Sequence, residues 1–480
     1  MYRPLAPLCL LLCLLSCQQV PSEDAPVQPN IILVLVDDLG WSDLSCQGSP
    51  FYKTPNIDRL AAEGVRFTQA YAACAVCSPS RAAIQTGRYP VRHGITDWIR
   101  SRFQGGDIPE NKENPNGFID PPEFGHLYTP ENALWMEREE ETLAELLKTQ
   151  GYHTGFIGKW HLGTDEWYPE TQGYDENYGG CDYGQPPHYF DPYQRPEHPH
   201  PMIQAGIPTL APRDSGEYLT DREAAEATGF INRNKDRPFF LSLAHYAVHT
   251  PIQAKDSLTA LYEPTEDSLG TAAYAAMVHS VDEAMGTILL TLEELQLREN
   301  TLIIFTSDNG GLDRGGQPTN NIPLRSGKGF PYEGGIRVPF IVSWPGVVPS
   351  GTVSEEAVMG IDVLPTLAEV SSTTPSKEID GVSLVQHLQD SQSALSREAL
   401  FWHFPHYRYK EVGPYSIVQK ENWKMIKFYD EESVELYDLA NDLAEENELS
   451  VDHPSKVKEL NTLLEEWLTA TQAKIPTSTL

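Results

Sequence analysis

Along the chain, unbroken apolar runs alternate with segments whose apolar residues recur every three or four positions. The run NIILVLV, Asn30 to Val36, is built of β-branched and leucine residues and stops abruptly at Asp37 and Asp38. A strand with one wet face alternates polar and apolar residues, so this run predicts a strand covered on both faces. PFFLSLAHYAVHTP and NTLIIFTSDNGG repeat the design, each apolar run ending in polar residues, and HTGFIGKWHLG adds another strand. Between them lie helical patterns: TPNIDRLAAEGVRF, with Thr54 as its cap and Gly64 as its stop, then EETLAELLKTQGY, then the long AAYAAMVHSVDEAMGTILLTLEELQL. Strands alternating with helices predict an α/β fold, one large, mainly parallel or mixed sheet flanked by helices. Beyond Arg397 the pieces shorten to ALFWHF, YSIVQKENWKMIKFY and ELYDL, followed by the helix SKVKELNTLLEEWLTATQAK. They predict a smaller C-terminal antiparallel sheet with a helix on it. The organisation that follows is a main domain over 29–372, a connecting segment over 373–397 and a C-terminal α+β subdomain over 398–480. Two stretches rich in Pro, Asn, His and Tyr interrupt the order, Ser101 to Glu131 and Asp182 to Ser215. Loops of that length read equally as walls of a substrate cleft and as mobile surface insertions.

Composition narrows the ligands. Acidic residues outnumber basic ones by 68 to 35, a formal charge of -33 on a chain of 480 residues. Binding a polyanion takes a basic face that releases counterions, so nucleic acid is excluded as a partner. An anionic substrate would need a local positive cluster. The first residues, MYRPLAPLCLLLCLLSCQQV, pair Arg3 with an apolar run, Leu5 to Leu15, too short to span a bilayer. They read as a secretion signal. Leu14-Leu15-Ser16-Cys17 resembles the bacterial lipoprotein cleavage box, which makes 1–16 the signal peptide, Cys17 the lipidated first residue and 17–28 a tether. An ordinary cleaved signal is the alternative; either way the protein is exported, and the lipid reading places it in the bacterial periplasm or on the outer membrane.

Of seven cysteines, Cys9, Cys13 and Cys17 lie in this leader, leaving Cys46, Cys74, Cys77 and Cys181. Four are too few for a disulfide framework in a protein of this size. Cys74 and Cys77 form CAVC, but no second pair completes a zinc site.

In open α/β sheets ligands bind beyond the carboxyl ends of the strands. Asp37 and Asp38 end one strand and Asp308 and Asn309 end another, so three carboxylates and an amide carbonyl meet at one edge. Singly such pairs are caps or turns; jointly they are a hard oxygen set for calcium or magnesium, since three acids packed without a cation repel one another. Pro79 fits the first turn of a helix through SRAAIQTG, which puts Cys77 at the positive end of that helix, where a thiolate or oxyanion is favoured. The plain alternative is a small buried cysteine. Arg81 lies one helical turn on. Period-two geometry puts Lys159 and His161 on one side of a strand. His249 precedes Thr-Pro at another strand end, and Lys328 sits in the glycine-flanked SGKG.

CSPSRAAIQTG resembles the signature of the type I sulfatases of the alkaline phosphatase superfamily, Cys-x-Pro-x-Arg followed by Thr-Gly. NIILVLVDDLG, GFIGKWHLG, HTP, SDNGG, PLRSGKGFPYEGGIRVPFIVSWPG and ELYDLANDLAEENEL extend the likeness over nearly the whole mature chain. The resemblance implies an alkaline phosphatase-like fold, with 29–372 the catalytic domain, and a sulfuric ester hydrolase. Cys77 is then oxidised to formylglycine by a maturation enzyme, and Asp37, Asp38, Asp308 and Asn309 hold one Ca2+ beside residue 77. Its hydrated aldehyde attacks sulfur with one hydroxyl and expels the substrate alcohol; loss of the second hydroxyl's proton ejects sulfate and restores the aldehyde. Arg81 and Lys159 hold the diol, His161 takes the proton, and His249 and Lys328 contact the sulfate and leaving oxygen, one of them as general acid.

The export signal and aromatic loops such as QPPHYFDPY suggest a sulfated carbohydrate, for example a sulfated galactan or glycosaminoglycan, as substrate, as in exported bacterial polysaccharide sulfatases. His403 and His406 in FWHFPHY are candidate sugar contacts, although Trp402 and Phe404 beside them read equally well as core. The alternatives are an arylsulfatase, a phosphoester hydrolase of the same superfamily, and a glycan-binding surface lipoprotein whose Cys77 never matures.

Overall fold

The computed structural model describes residues 28–263 and 269–480. The signal peptide and Cys17 lie outside the described residues. One eight-stranded sheet organises the chain. In chain order its strands are β1 (Asn30–Val36), β2 (Val65–Phe67), β3 (His153–Gly158), β4 (Glu176–Tyr178), β5 (Phe239–His245), β6 (Thr301–Ser307), β7 (Phe340–Ser343) and β8 (Thr352–Ser354). Across the sheet they stand in the order β8-β2-β7-β6-β1-β5-β3-β4. The pairings are parallel except that β7 runs antiparallel to β6 and to β2.

The unbroken apolar runs have the cause they suggested. Ile32, Val34 and Val36 pack into one core, and Ile31, Leu33 and Leu35 into another on the opposite face. The first core is closed by helices α3 (Leu219–Asn234) and α4 (Ala272–Glu294), the second by α2 (Cys77–Thr86) and α5 (Val363–Val370). Each fully buried aliphatic side chain here contributes roughly 1.5–3 kcal/mol, so a charge anywhere from 31 to 36 would break the sheet at its centre. Helix α1 (Pro55–Ala62) forms where expected, but Thr54 does not cap it with its hydroxyl. Asp282 of α4 accepts from Asn56 N (2.9 Å) and Ile57 N (2.8 Å) instead, a cap supplied by tertiary contact.

The C-terminal strands β9 (Leu400–Phe404), β10 (Tyr415–Lys420), β11 (Trp423–Phe428) and β12 (Ser433–Asp438) form an antiparallel sheet in that order. One face packs Trp402, Ile417 and Ile426 against Tyr71, Ala83 and Tyr89 of the main body. The other packs Val418, Met425 and Leu436 under Leu460, Leu464 and Leu468 of helix α6 (Pro454–Ala470). No helix among the described residues is long and apolar enough to cross a membrane.

Candidate active site

The central strands end together. Val36 of β1 is in register with His245 of β5 and Ser307 of β6, so Asp37 and Asp38 stand beside Asp308 and Asn309. All four are fully buried. Asp38 N donates to Asp308 Oδ1 (3.2 Å) and Asn309 Nδ2 to Asp38 Oδ1 (2.8 Å). Cys77 meets this rim as the first residue of α2, with Pro79 inside the first turn. Its Sγ groups within 4.8 Å with carboxylate oxygens of Asp37 and Asp308, and likewise with ligand atoms of Asp38 and His249.

Three bases are packed among the three acids. Lys159 Nζ donates to Asp37 Oδ2 (2.6 Å), Lys328 Nζ to Asp38 Oδ1 (2.6 Å) and Arg81 Nε to Asp308 Oδ2 (2.7 Å). The charges therefore balance before any ligand arrives. Even so, Asp37 Oδ1, Asp38 Oδ2 and Asn309 Oδ1 are buried acceptors with no donor among the described residues. Each such atom costs about 1–3 kcal/mol when left bare. Hard oxygens converging in this way are the donor set of Ca2+ or Mg2+, so the residues fit a divalent cation.

Lys328 also donates to Cys77 Sγ at 3.3 Å. Burial works against its charge, but Asp38, with Asp37 and Asp308 beyond it, overcomes burial and holds the ammonium above the usual lysine range. The thiolate expected at the helix terminus is not favoured: burial pushes the Cys77 thiol up, and Lys159 and Lys328 do not offset it. A helix end contributes about 0.3–1 kcal/mol at most exposed sites, less than dehydrating an anion costs.

Lys159 and His161 reach the site by a different route from the one their spacing suggested. The strand stops at Gly158, whose φ is 92° and where a Cβ would lie 2.0 Å from Ala244 O. His161 itself adopts the left-handed region, φ 60°, as does Asp38, φ 59°. Backbone strain of that kind at two polar residues of one rim is what a functional site stores. His161 Nε2 lies 2.7 Å from Ile99 O, which can only accept, so Nε2 carries the hydrogen and Nδ1 is a bare lone pair without a partner. Burial, then Lys159, drives the ring well below the usual histidine range, leaving it neutral. His249 Nδ1 likewise gives its hydrogen to Thr250 O (3.0 Å), and Nε2 faces Asp38 Oδ2 at 3.5 Å. Burial and Lys328 bring His249 down to about 3, against the pull of Asp38.

A cleft of about 180 Å³ opens over this cluster, lined by Asp38, Cys77, His161, His249 and Lys328. Both long insertions reach it, the first through Gln104 and the second through Gly184 and Gln185. His403 and His406 are not among its lining residues. His403 is held by Ser416 Oγ (2.7 Å) and Lys474 O (3.0 Å), and His406 by Thr96 Oγ1 (2.7 Å), so their ring nitrogens serve the fold. His403 borders a separate, larger cavity of about 590 Å³. What the same segment gives the cleft is Arg408 and Tyr409, which, with Trp98 and Arg314, sequence reading missed. For Arg408 and Tyr409 the signal was closeness to FWHFPHY; Trp98 and Arg314 carried none.

Residues 29–373 match the family model described as Sulfatase, and residues 326–474 that described as N-sulphoglucosamine sulphohydrolase, C-terminal. The chain belongs to the sulfatase family. This sulfatase is 34% identical to a protein of Formosa agariphila named Sulfatase, over 93% of this chain and 90% of that one. It is also 34% identical to the N-acetylgalactosamine-6-sulfatase of Canis lupus familiaris, over 80% and 70%. The crystal structure of Ps i-CgsB superposes on it with a TM-score of 0.77 at 31% identity, covering 92% of both chains. In complex with k-i-k-neocarrahexaose the TM-score is 0.74, at 30% identity over 92% of both chains. The sulfatase thus has the fold of the alkaline phosphatase superfamily, an eight-stranded mixed sheet between helices with a small antiparallel sheet near the C-terminus.

Proposed function

We propose that this sulfatase is an exported enzyme that removes sulfate from sulfated carbohydrates, using formylglycine made from Cys77 and one calcium ion. The observation that carries the reading is the meeting of Cys77 with Asp37, Asp38, Asp308 and Asn309 at one rim, where three buried oxygens lack donors. The carbohydrate is supported by the relative named for N-acetylgalactosamine 6-sulfate and by the similar Ps i-CgsB crystallised with an oligosaccharide. A maturation enzyme that oxidises Cys77 is the partner this requires, and a lipid at Cys17 would anchor the protein to a membrane.

Asp37, Asp38, Asp308 and Asn309 would hold the cation, which when bound supplies positive charge to the sulfuryl oxygens. Hydrated formylglycine supplies a hydroxyl nucleophile where the thiol stands, which a raised thiol pKa does not. Lys328, in contact with residue 77, sets a fixed positive charge over the reacting group. Arg81 and Lys159 hold the carboxylates through their ion pairs and flank residue 77. His249 and Lys328 border the cleft where the leaving oxygen would lie; His249 is neutral with its hydrogen on Nδ1, so of the two Lys328 carries the proton to give, and the bare Nδ1 of His161 takes the proton of the second hydroxyl.

Mass spectrometry of the peptide containing Cys77 from the native host tests this directly. Aldehyde at residue 77, with aryl sulfate cleaved faster than aryl phosphate, is the expected result. An unmodified thiol together with glycan binding and no turnover would make the protein a binder.

A further inference from the structure

The cleft holds more positive charge than one sulfate ester uses. In a chain whose acids outnumber bases by 68 to 35, its lining includes Arg314, Lys328 and Arg408, with Asp38 as the one carboxylate among the lining residues described. Asp38 is already paired with Lys328. We propose that Arg408, assisted by Arg314, binds a second anionic group of the saccharide, so that the preferred substrate carries another sulfate or a carboxylate beside the ester that is cut. The inference rests on the carbohydrate sulfatase reading of this site and adds a substrate class to it.

Arg408 is built to receive such a group. Its side chain is 15% exposed, and the carboxylate beside it, Asp97 Oδ1, is 3.8 Å from Nη1, beyond hydrogen-bonding range. That oxygen already accepts from Trp98 N at 2.8 Å. Arg408 Nε is buried with no acceptor among the described residues. The backbone that carries the side chain is anchored nonetheless. Arg408 N donates to Val412 O (3.1 Å), and the Tyr409 ring lies 5.8 Å from that of Phe330. Tyr407 OH accepts from His126 N (3.0 Å) and Leu127 N (3.1 Å) and is bonded to Asp430. Gly329, φ +90°, lies so close that a Cβ there would stand 3.1 Å from Arg408 Nε; the loop carrying Lys328 therefore runs against the arginine. Fixing the guanidinium in advance lowers the entropy lost when an anion binds, and its planar fork matches sulfate or carboxylate oxygens in pairs.

Arg314, by contrast, is exposed and has no ion-pair partner among the described residues. Trp98, also in the lining, supplies an aromatic side chain for a sugar ring. A cation with a bare Nε, an exposed second cation and an aromatic side chain over one reacting centre fit a saccharide with two negative groups.

Three disaccharides sharing one sulfated hexose test this, the neighbouring sugar being neutral, sulfated or a uronate. kcat/KM is measured for matured wild type, Arg408→Gln, Arg408→Lys and Arg314→Gln. Wild type should prefer one or both dianionic substrates by about 10- to 100-fold, the range of a charged hydrogen-bonded pair. The arm preferred identifies sulfate or carboxylate as the second group. Arg408→Gln should remove most of that preference, Arg408→Lys should restore part of it, since an ammonium cannot make the forked pair, and Arg314→Gln should cost less. Equal turnover of all three by wild type, or equal loss on all three in Arg408→Gln, overturns the proposal. Calorimetry on unmatured Cys77→Ala protein separates binding from catalysis. Tighter binding of a dianionic disaccharide that Arg408→Gln weakens supports the arginine site even if no ester is hydrolysed, which would count against the hydrolase reading alone. Affinity that ignores Arg408 overturns it.

Discussion

Two buried clusters of acids and bases in this molecule are made of similar residues yet differ in one respect. At the strand ends Asp37, Asp38 and Asp308 meet Arg81, Lys159 and Lys328. Beneath the C-terminal sheet Glu333 and Glu445 meet Arg337 and Lys424. There Lys424 Nζ lies 2.9 Å from Glu333 Oε1 and 2.8 Å from Glu445 Oε1, and Arg337 Nη1 lies 3.1 Å from Glu333 Oε2. Glu333 N donates to Glu445 Oε2 at 2.7 Å, so three of the four carboxylate oxygens are hydrogen-bonded, and the fourth, Glu445 Oε1, is covered by the Lys424 ammonium alone. At the strand ends two carboxylate oxygens and one amide oxygen have no donor, and the cluster opens into a cleft. Buried ion pairs therefore do not mark a site by themselves. What distinguishes the strand-end cluster is that its bare oxygens converge on Cys77 beneath a cleft.

The largest effect should come from the nucleophile. Cys77→Ala is expected to lower sulfate release by about 10⁴-fold or more while the melting temperature moves by no more than about 2 °C. Retained turnover in that variant would end the formylglycine scheme. Next, chelation of matured wild type should cost about 10³-fold in activity and a few degrees in melting temperature, both restored by added Ca2+. If the cluster beneath the C-terminal sheet is purely structural, Lys424→Met should behave in the opposite way. It leaves Glu333 and Glu445 buried without their cation, and urea unfolding should show a loss of about 3–5 kcal/mol with kcat/KM within about threefold. A larger fall in kcat/KM than in stability would erase the distinction between the two clusters.

The smallest effect is a pH slope. Burial, opposed by Lys424 and reinforced by Glu333, pushes Glu445 up to about 7 from the ordinary glutamate value of 4.5. A carboxyl raised in the folded state contributes stability that is fully present below pH 4.5 and is lost as pH rises through 7. That contribution amounts to about 3 kcal/mol, and Glu445→Gln should flatten the corresponding part of the stability profile. An unchanged slope in the variant would assign the titration to another group.

Much of the site was legible because its chemistry follows strand ends. Asp37-Asp38 and Asp308-Asn309 directly follow unbroken apolar runs, and a strand covered on both faces stops where the first charges appear. The helix after Cys77 was legible from Pro79. The turn that carries Lys159 and His161 was not, because Gly158 ends the strand for lack of room against Ala244, a neighbour distant in sequence. His403 and His406 pointed to the right segment but not to its cleft residues, since the connection between β9 and β10 decides that Arg408 and Tyr409 border the cleft while the histidines are hydrogen-bonded within.

What the amino-acid sequence determined alone was the α/β alternation, the apolar strands and the residue types that gather at their carboxyl ends, because periodicity and chain punctuation are local properties. Which acids are fully paired and which are left with bare oxygens, whether Cys77 is a thiol or a thiolate, and which arginines border the cleft were decided only by the folded structure. Those outcomes depend on burial and on distances between segments as far apart as Asp38 and Lys328, 290 residues along the chain, and no local pattern encodes them.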